Sequence, residues 1–268
     1  MNKKDELFVK KVVSKLQKHK PVIAVFEGSG FENIITLENP IVYTYKSLGF
    51  KYPEIKGHER RFAFGTYKGV EVVIASRFHY YEFGNCDLLY NLFNILASLG
   101  VKTVIATTAV GGINAKLDKG DIMLLKSHIN FAGFNPLIAR FPIEFVDLTN
   151  AYDKKLRDVV KASAKKLEID LFEGVHLQAC GPTYETPAEV IAYRKLGADT
   201  VSMSTAFDNI CARKFNMKFV CFAGISNKAV SLDSETLSHE EVVEACRNMS
   251  GKVKKIIEHA FVKIVKNS

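Results

Sequence analysis

Residues 86–112 read CDLLYNLFNILASLGVKTVIATTAVGG. The stretch 86–99 predicts a helix, and Gly100 is its C-terminal stop. Residues 101–108 then read as a buried strand that closes on the small residues Ala109-Val-Gly-Gly112. A helix feeding directly into a buried strand is the unit from which α/β sheets are built.

The same alternation extends in both directions. Upstream, Pro21-Val-Ile-Ala-Val-Phe26 is a short apolar run that reads as another buried strand. It ends in Glu27-Gly28-Ser29-Gly30, a turn whose small residues leave backbone N–H groups open to an anion. Residues 61–67 and 70–76 flank Lys68-Gly69 as a hairpin, which makes the sheet mixed. Downstream, strands are expected at 121–126, 174–180, 199–203 and 218–224, with helices over 150–167 and 206–215. Thr186-Pro-Ala-Glu189 carries the N-cap, first-turn proline and N3 carboxylate of a helix start. Residues 181–185 are therefore a strand-to-helix loop. Ser238-His-Glu-Glu241 opens the last helix in the same way. Its Val242, Cys246, Met249, Val253, Ile256, Ala260 and Ile264 mark one core-facing stripe. At the N-terminus, Phe8, Val9, Val12, Val13 and Leu16 recur at helical spacing. The expectation is an α/β fold, one domain over 1–268, with a mixed central sheet flanked by helices.

The chain has 268 residues, a formal charge of +8, 47% hydrophobic and 25% charged residues. That composition excludes a disordered or collagen-like chain. Charged residues interrupt every apolar run, so no membrane helix is expected. The lysine-rich start lacks the apolar stretch of a secretory signal. Five scattered cysteines form no C-x-x-C pair, which points to neither a disulfide framework nor a zinc site, and to a reducing cytoplasm. Residues 1–20 hold seven lysines against two acids, and 251–268 hold five against one. The basic excess thus sits on two terminal helices as a solvated face, and no nucleic-acid partner is expected.

Phosphate-loop and zinc-protease motifs are missing. Taken alone, Gly28-Ser29-Gly30 reads more simply as a tight turn. Arg77-Phe-His79-Tyr-Tyr81-Glu82 packs a cation, an imidazole, phenols and a carboxylate into six positions after a β-run. It reads either as a wet aromatic loop or as an anion pocket, since a guanidinium fork matches phosphate oxygens. Tyr184-Glu185 stands just before a helix, where the carboxylate alone would favour the dipole. Asn227 ends a strand, where α/β sheets bind ligands.

Ten short stretches, in this order, resemble the trimeric purine nucleoside phosphorylase family over residues 21–245. They are Gly28-Ser-Gly30, Gly57-His58, the 77–82 stretch, Thr108-Ala-Val-Gly-Gly-Ile-Asn114, Gly120-Asp-Ile-Met123 and His128-Ile-Asn130. Gly181-Pro-Thr-Tyr-Glu-Thr186, Met203-Ser-Thr205, Ser226-Asn-Lys228 and His239-Glu-Glu-Val242 complete the series.

The resemblance implies phosphorolysis of purine ribo- and deoxyribonucleosides to free base and (deoxy)ribose 1-phosphate, as in purine salvage. Inorganic phosphate is the co-substrate, and neither cofactor nor metal is implied. Carried over by motif, Ser29, His58, Arg77, His79, the backbone N–H of Ala109 and Ser204 bind phosphate. Tyr81, the Met203 backbone and His239 contact ribose. Phe141 covers the ribose site of a neighbouring subunit in a homotrimer. Tyr184 covers the base, and Glu185 and Asn227 read its edge. Asn227, Glu185 and His79 are the implied catalytic groups, and Glu185 with Asn227 implies 6-oxopurines such as inosine and guanosine. Some positions depart from the common pattern. Ser202 stands where relatives have Gly, and Ala206-Phe-Asp208 replaces Val-Pro-Glu. Tyr184 replaces Phe, Val110 replaces a small residue, and 133–146 is shorter than in the mammalian type. Methylthioadenosine phosphorylase and a non-catalytic purine- or phosphate-binding protein are the alternatives.

Overall fold

The computed structural model describes residues 3–52, 60–229 and 239–268. Its nine strands are β1 (Ile23–Phe26), β2 (Glu38–Thr44), β3 (Arg61–Tyr67), β4 (Val70–Ala75), β5 (Thr103–Gly112), β6 (Ile122–Asn130), β7 (Phe172–Gln178), β8 (Thr200–Ser202) and β9 (Lys218–Lys228). Its helices are α1 (Lys3–Leu16), α2 (Tyr45–Leu48), α3 (Tyr80–Phe83), α4 (Asp87–Leu99), α5 (Lys154–Lys166), α6 (Pro187–Lys195), α7 (Ala206–Lys214) and α8 (His239–Lys266).

The strands form one mixed sheet in the order β2-β3-β4-β1-β5-β8-β7-β6-β9. A further pairing of β5 with β9 closes the second half into a ring of five strands. β1, β4, β5 and β9 run parallel to their neighbours within this set, while β8 opposes β5 and β6 opposes β9. Four buried side chains in a row in β1, and nearly all of β9, reflect strands covered on both faces. On one face α1, α4 and α7 pack Val12, Leu16, Leu92, Phe93 and Ile210 into one core. On the other, α5 and α8 pack Leu156, Val160, Cys246, Val253, Ile257 and Ile264 into a second. The predicted stripe of α8 is buried from Val242 to Ile264.

Local chemistry fixes several joints. Lys68 and Gly69 both have positive φ, 51° and 76°, which twists the β3–β4 hairpin in the sense its strands require. In α6, Thr186 accepts from the Glu189 amide and the Glu189 carboxylate accepts from the Thr186 amide, completing the predicted capping box.

Three expectations need correction. β5 runs on through Gly111-Gly112 and β9 to Lys228, because the two pair from Thr103↔Lys218 to Gly112↔Lys228 across one bulge, and β6 runs to Asn130 because it pairs with β7 as far as Asn130↔Gln178. Those long-range partners are invisible in the local letters. α5 begins at Lys154, not 150, where Asp153 caps the Leu156 amide at 3.0 Å. β2 was not expected. Its Pro40 is tolerated because the strand lies at the sheet edge beside an irregularity in its pairing with β3.

All five cysteines are unpaired, and only Cys180 is exposed. Among the described residues, no helix is long and apolar enough to cross a membrane.

Candidate functional site

A cleft of about 660 Å³ opens where β1, β4, β5, β8 and β9 end. Every site candidate whose side chain is described lines it except Phe141. The cleft therefore gathers segments far apart in the chain, from Glu27 to Val243.

One end is rich in donors and cations. Ser29 sits in the turn after β1. Gly28 is needed there because a Cβ would stand 2.5 Å from the Thr107 carbonyl, and Gly30 because its φ is +79° with the Val243 carbonyl 2.4 Å from a Cβ. The expected open amides are corrected by the structure. The Gly28 N–H donates to Thr107 Oγ1 at 2.8 Å and the Gly30 N–H to Glu32 at 3.2 Å. These glycines thus serve close packing against β5 and α8 rather than an empty anion nest.

Arg77 follows β4 and is 8% exposed. Its Nη2 donates to the Thr107 carbonyl at 3.2 Å, and its Nε lies 3.5 Å from Asp208 Oδ2 in α7. Nη2 also donates to the Phe26 carbonyl at 3.5 Å, so two backbone carbonyls and one carboxylate fix the guanidinium. Ser204 follows β8, with its hydroxyl 3.4 Å from that of Thr108. Ala109, half-buried in β5, completes this wall.

His79 caps α3 through its turn with Glu82. The Glu82 carboxylate accepts from the His79 amide at 3.0 Å and lies 3.4 Å from His79 Nδ1. Burial opposes charge on Glu82, but its bonds to His79 and the nearby Arg60 guanidinium outweigh burial and hold its carboxyl below the usual range. Tyr81 stacks on His79 at 5.1 Å, and burial, with Glu82 beside it, raises its phenol.

The opposite end is more open. Tyr184 and Glu185 lie on the loop between β7 and α6, and Tyr184 is 45% exposed. Burial raises the Glu185 carboxyl above its ordinary value, opposed by its own amide and reinforced by Glu189. Asn227 faces them from β9. Its Oδ1 accepts from the Ser226 hydroxyl at 2.7 Å, and its Nδ2 donates to the Lys228 carbonyl at 3.0 Å. An amide nitrogen has two hydrogens, so a second one is left to donate. Met203 also lines the cleft.

Three groups escaped the sequence reading. Arg60 is 4% exposed, donates to Glu82 Oε1 at 2.5 Å and to the Arg77 carbonyl at 3.3 Å, and lies 5.0 Å from the Phe78 ring centroid. Its neighbour Arg61 gave no local cue that distinguishes the buried arginine from the exposed one. Asp208, partner of Arg77, stood within the altered 206–208 segment. Glu27 lines the cleft and accepts from the Ile34 amide at 3.0 Å. Burial pushes its carboxyl up to about 7, with the Ile34 and Asn33 amides opposing and Glu32 adding to the rise.

His58 lies outside the described residues. His239 is the first residue of α8, and its side chain is likewise outside the description. Phe141 is 67% exposed and does not line this chain's own cleft. Among the described residues no group of three or more His, Cys, Asp or Glu is placed to hold a metal ion.

Comparison with known proteins shows what the chain is similar to. The phosphorylase superfamily model matches residues 23–262. Purine nucleoside phosphorylase 1 of Bacillus subtilis (strain 168) is 36% identical, over 92% of this chain and 90% of its own. The rat (Rattus norvegicus) purine nucleoside phosphorylase is 35% identical, over 90% and 88%. The Schistosoma mansoni purine nucleoside phosphorylase superposes with a TM-score of 0.89 in complex with adenosine, at 30% identity and 96% coverage of each chain. In complex with inosine it gives 0.86, at 31% identity over 94% of this chain and 96% of the other.

Proposed function

The chain belongs to the purine nucleoside phosphorylase family of the phosphorylase superfamily, and from that premise we propose that it phosphorolyses 6-oxopurine nucleosides, inosine and guanosine, in ribo and deoxyribo form. The observation that carries the reading is the convergence of two unlike groups of residues in one cleft. Arg77, Ser29, Ser204 and Ala109 stand at one end, and Tyr184, Glu185 and Asn227 at the other.

Phosphate, held by Arg77, Ser29, Ser204, the Ala109 amide and His79, attacks C1′ from beneath the sugar. His58 is assigned to the same oxygens by motif. The bond from C1′ to the purine nitrogen breaks, with positive charge growing on ribose and negative charge on the base. The phosphate dianion stabilises the first. The second Asn227 Nδ2 hydrogen donates to N7 and stabilises the other. Catalysis is then mostly orientation and preorganised electrostatics. Glu82 and Arg60 hold His79 in place. Tyr81, Met203 and His239 hold the ribose hydroxyls, and Tyr184 covers the base.

The ionised Glu185 accepts the N1–H of a 6-oxopurine and faces a lone pair in adenine. Hydrogen-bond mismatch of this kind can reject an analogue by roughly 10⁴-fold. Hypoxanthine release from inosine is expected to rise with phosphate to saturation, with adenosine far slower. Release without phosphate, or equal efficiency on adenosine, contradicts the reading.

Phe141 we assign to the neighbouring subunit of a homotrimer. It lies in a segment where Ile138, Phe141, Ile143 and Phe145 are each more than half exposed, a run of apolar surface that assembly would cover. Light scattering should report a mass near three chains. Mixed Phe141→Ala and Arg77→Ala subunits should regain activity that neither has alone. An active monomer contradicts the assignment.

A further inference from the structure

Beneath Ser204 lies a buried polar network that the proposed chemistry has not used. His176, in β7, is fully buried. Its Nε2 stands 3.2 Å from the Ser204 carbonyl oxygen and 3.1 Å from Ser202 Oγ. Its Nδ1 stands 3.1 Å from Thr200 Oγ1. A carbonyl oxygen can only accept, so Nε2 carries the hydrogen and Nδ1 accepts from the Thr200 hydroxyl. Burial, opposed by the Ser204 carbonyl, pushes the imidazole down to about 3, so the ring is neutral and this one tautomer serves both bonds. Ser202 Oγ in turn accepts from the Ser204 amide at 3.4 Å. Both polar groups of the Ser204 backbone are thus tied to the same cluster.

The next residue shows why such a tie matters. Thr205 has φ +86° and ψ −43°, a conformation that a β-branched residue adopts only where its surroundings force it. The His176 bond grips the carbonyl of the peptide that enters this strained residue. Releasing it would let the 203–205 turn relax and carry the Ser204 hydroxyl away from Thr108 and the donor-rich wall.

Resting on the reading of Ser204 as a phosphate contact, we propose that His176 is a positioning residue that holds the 203–205 turn through its bond to the Ser204 carbonyl and so sets the affinity for phosphate. It is buried and does not line the cleft. Phe at this position would keep the ring and lose both bonds. Gln would return an N–H toward Ser204 and an acceptor toward Thr200.

The test compares wild type, His176→Phe, His176→Gln and Thr200→Val. Two readouts are taken: KM for phosphate and for inosine, and the rise in Tm on adding phosphate or inosine alone, which reports binding without turnover. Loss of a buried hydrogen bond of ordinary strength predicts a KM for phosphate raised about tenfold in His176→Phe, with KM for inosine changed less than about twofold. The phosphate-induced Tm rise should shrink and the inosine-induced rise remain. His176→Gln should return phosphate KM to within about threefold of wild type. Thr200→Val frees the other tautomer and should move phosphate KM the same way by less, which keeps the idea testable if His176→Phe does not fold. Equal losses for both substrates, an unmoved phosphate KM, or a folded His176→Gln no better than His176→Phe would overturn the positioning role. A wild-type protein whose base release ignores phosphate would instead overturn the functional reading.

Discussion

Arg77 is 8% exposed and fixed by two carbonyls and Asp208, whereas Tyr184, across the same cleft, is 45% exposed on a loop. The donor-rich wall is anchored in strand ends and in buried side chains such as His176, Arg60 and Asp208. The aromatic wall hangs on the 179–186 loop and one residue of β9. The first is built as part of the core, so damage there should cost stability as well as chemistry. The second is built as an attachment, so changes there should alter which base is accepted and leave the fold alone.

The sharpest way to break this comparison is Arg77→Ala. Removing one preorganised cation should lower kcat/KM for phosphate by roughly 10²–10³-fold. It also leaves Asp208 buried without its partner, a loss of about 3–5 kcal/mol by analogy with other broken buried pairs. Kinetics and a thermal melt read both. Loss of activity with an unchanged Tm would show that the wall is not part of the core.

At the other wall, Asn227→Asp should lower inosine kcat/KM by about tenfold or more and move the preference toward adenosine, with Tm little changed. Comparable loss on both nucleosides would assign Asn227 no part in reading the base.

A smaller effect sharpens the same contrast through pH. The carboxyl of Glu185 is raised, so it gains a proton earlier on acidification than an ordinary glutamate. The protonated form donates to adenine N1 and accepts from a 6-oxopurine only through its neutral carbonyl oxygen, a weaker bond than the carboxylate makes. Below that raised value the adenosine-to-inosine ratio of kcat/KM should climb by up to about tenfold per pH unit. Glu185→Gln should abolish the climb, and a pH-independent ratio in wild type would remove Glu185 from base discrimination.

How much of this was legible follows the same division. Motifs whose own residues line the cleft, at 77–82, 184–185 and 203–204, could be read from their letters. So could the start of α6, because Thr186-Pro-Ala-Glu189 encodes its own cap. The supports could not. Arg60 and Arg61 are identical letters, and only the β3–β4 register buries one against Glu82. His176 looks like any strand residue until β8 is laid beside β7. The turn at Gly28-Ser29-Gly30 suggested open amides because the chain alone does not show that Thr107 and Glu32 already occupy them. The edge strand β2 hid behind Pro40 for a related reason, since only its place at the edge makes that proline harmless.

A last effect, on stability rather than on turnover, concerns Glu27. Its carboxyl is raised from an ordinary 4.5 to about 7. The folded protein therefore binds this proton more tightly than the unfolded chain. The stability this contributes is full below pH 4.5 and lost as pH rises toward 7. Glu27→Gln keeps an acceptor for the Ile34 amide and should escape that loss. Its Tm should exceed that of wild type above neutrality, by up to about 3 kcal/mol of stability, and match it near pH 4.5. A constant difference across that range would place Glu27 in a more solvated setting.

The most direct test of phosphorolysis follows the phosphorus itself. Purified protein is incubated with inosine and inorganic phosphate, and ³¹P NMR is recorded while hypoxanthine is measured in the same sample. The arrangement of the cleft predicts that inorganic phosphate disappears and a sugar 1-phosphate ester appears, one for each hypoxanthine released. Hypoxanthine accumulating while the inorganic phosphate signal stays constant would contradict it.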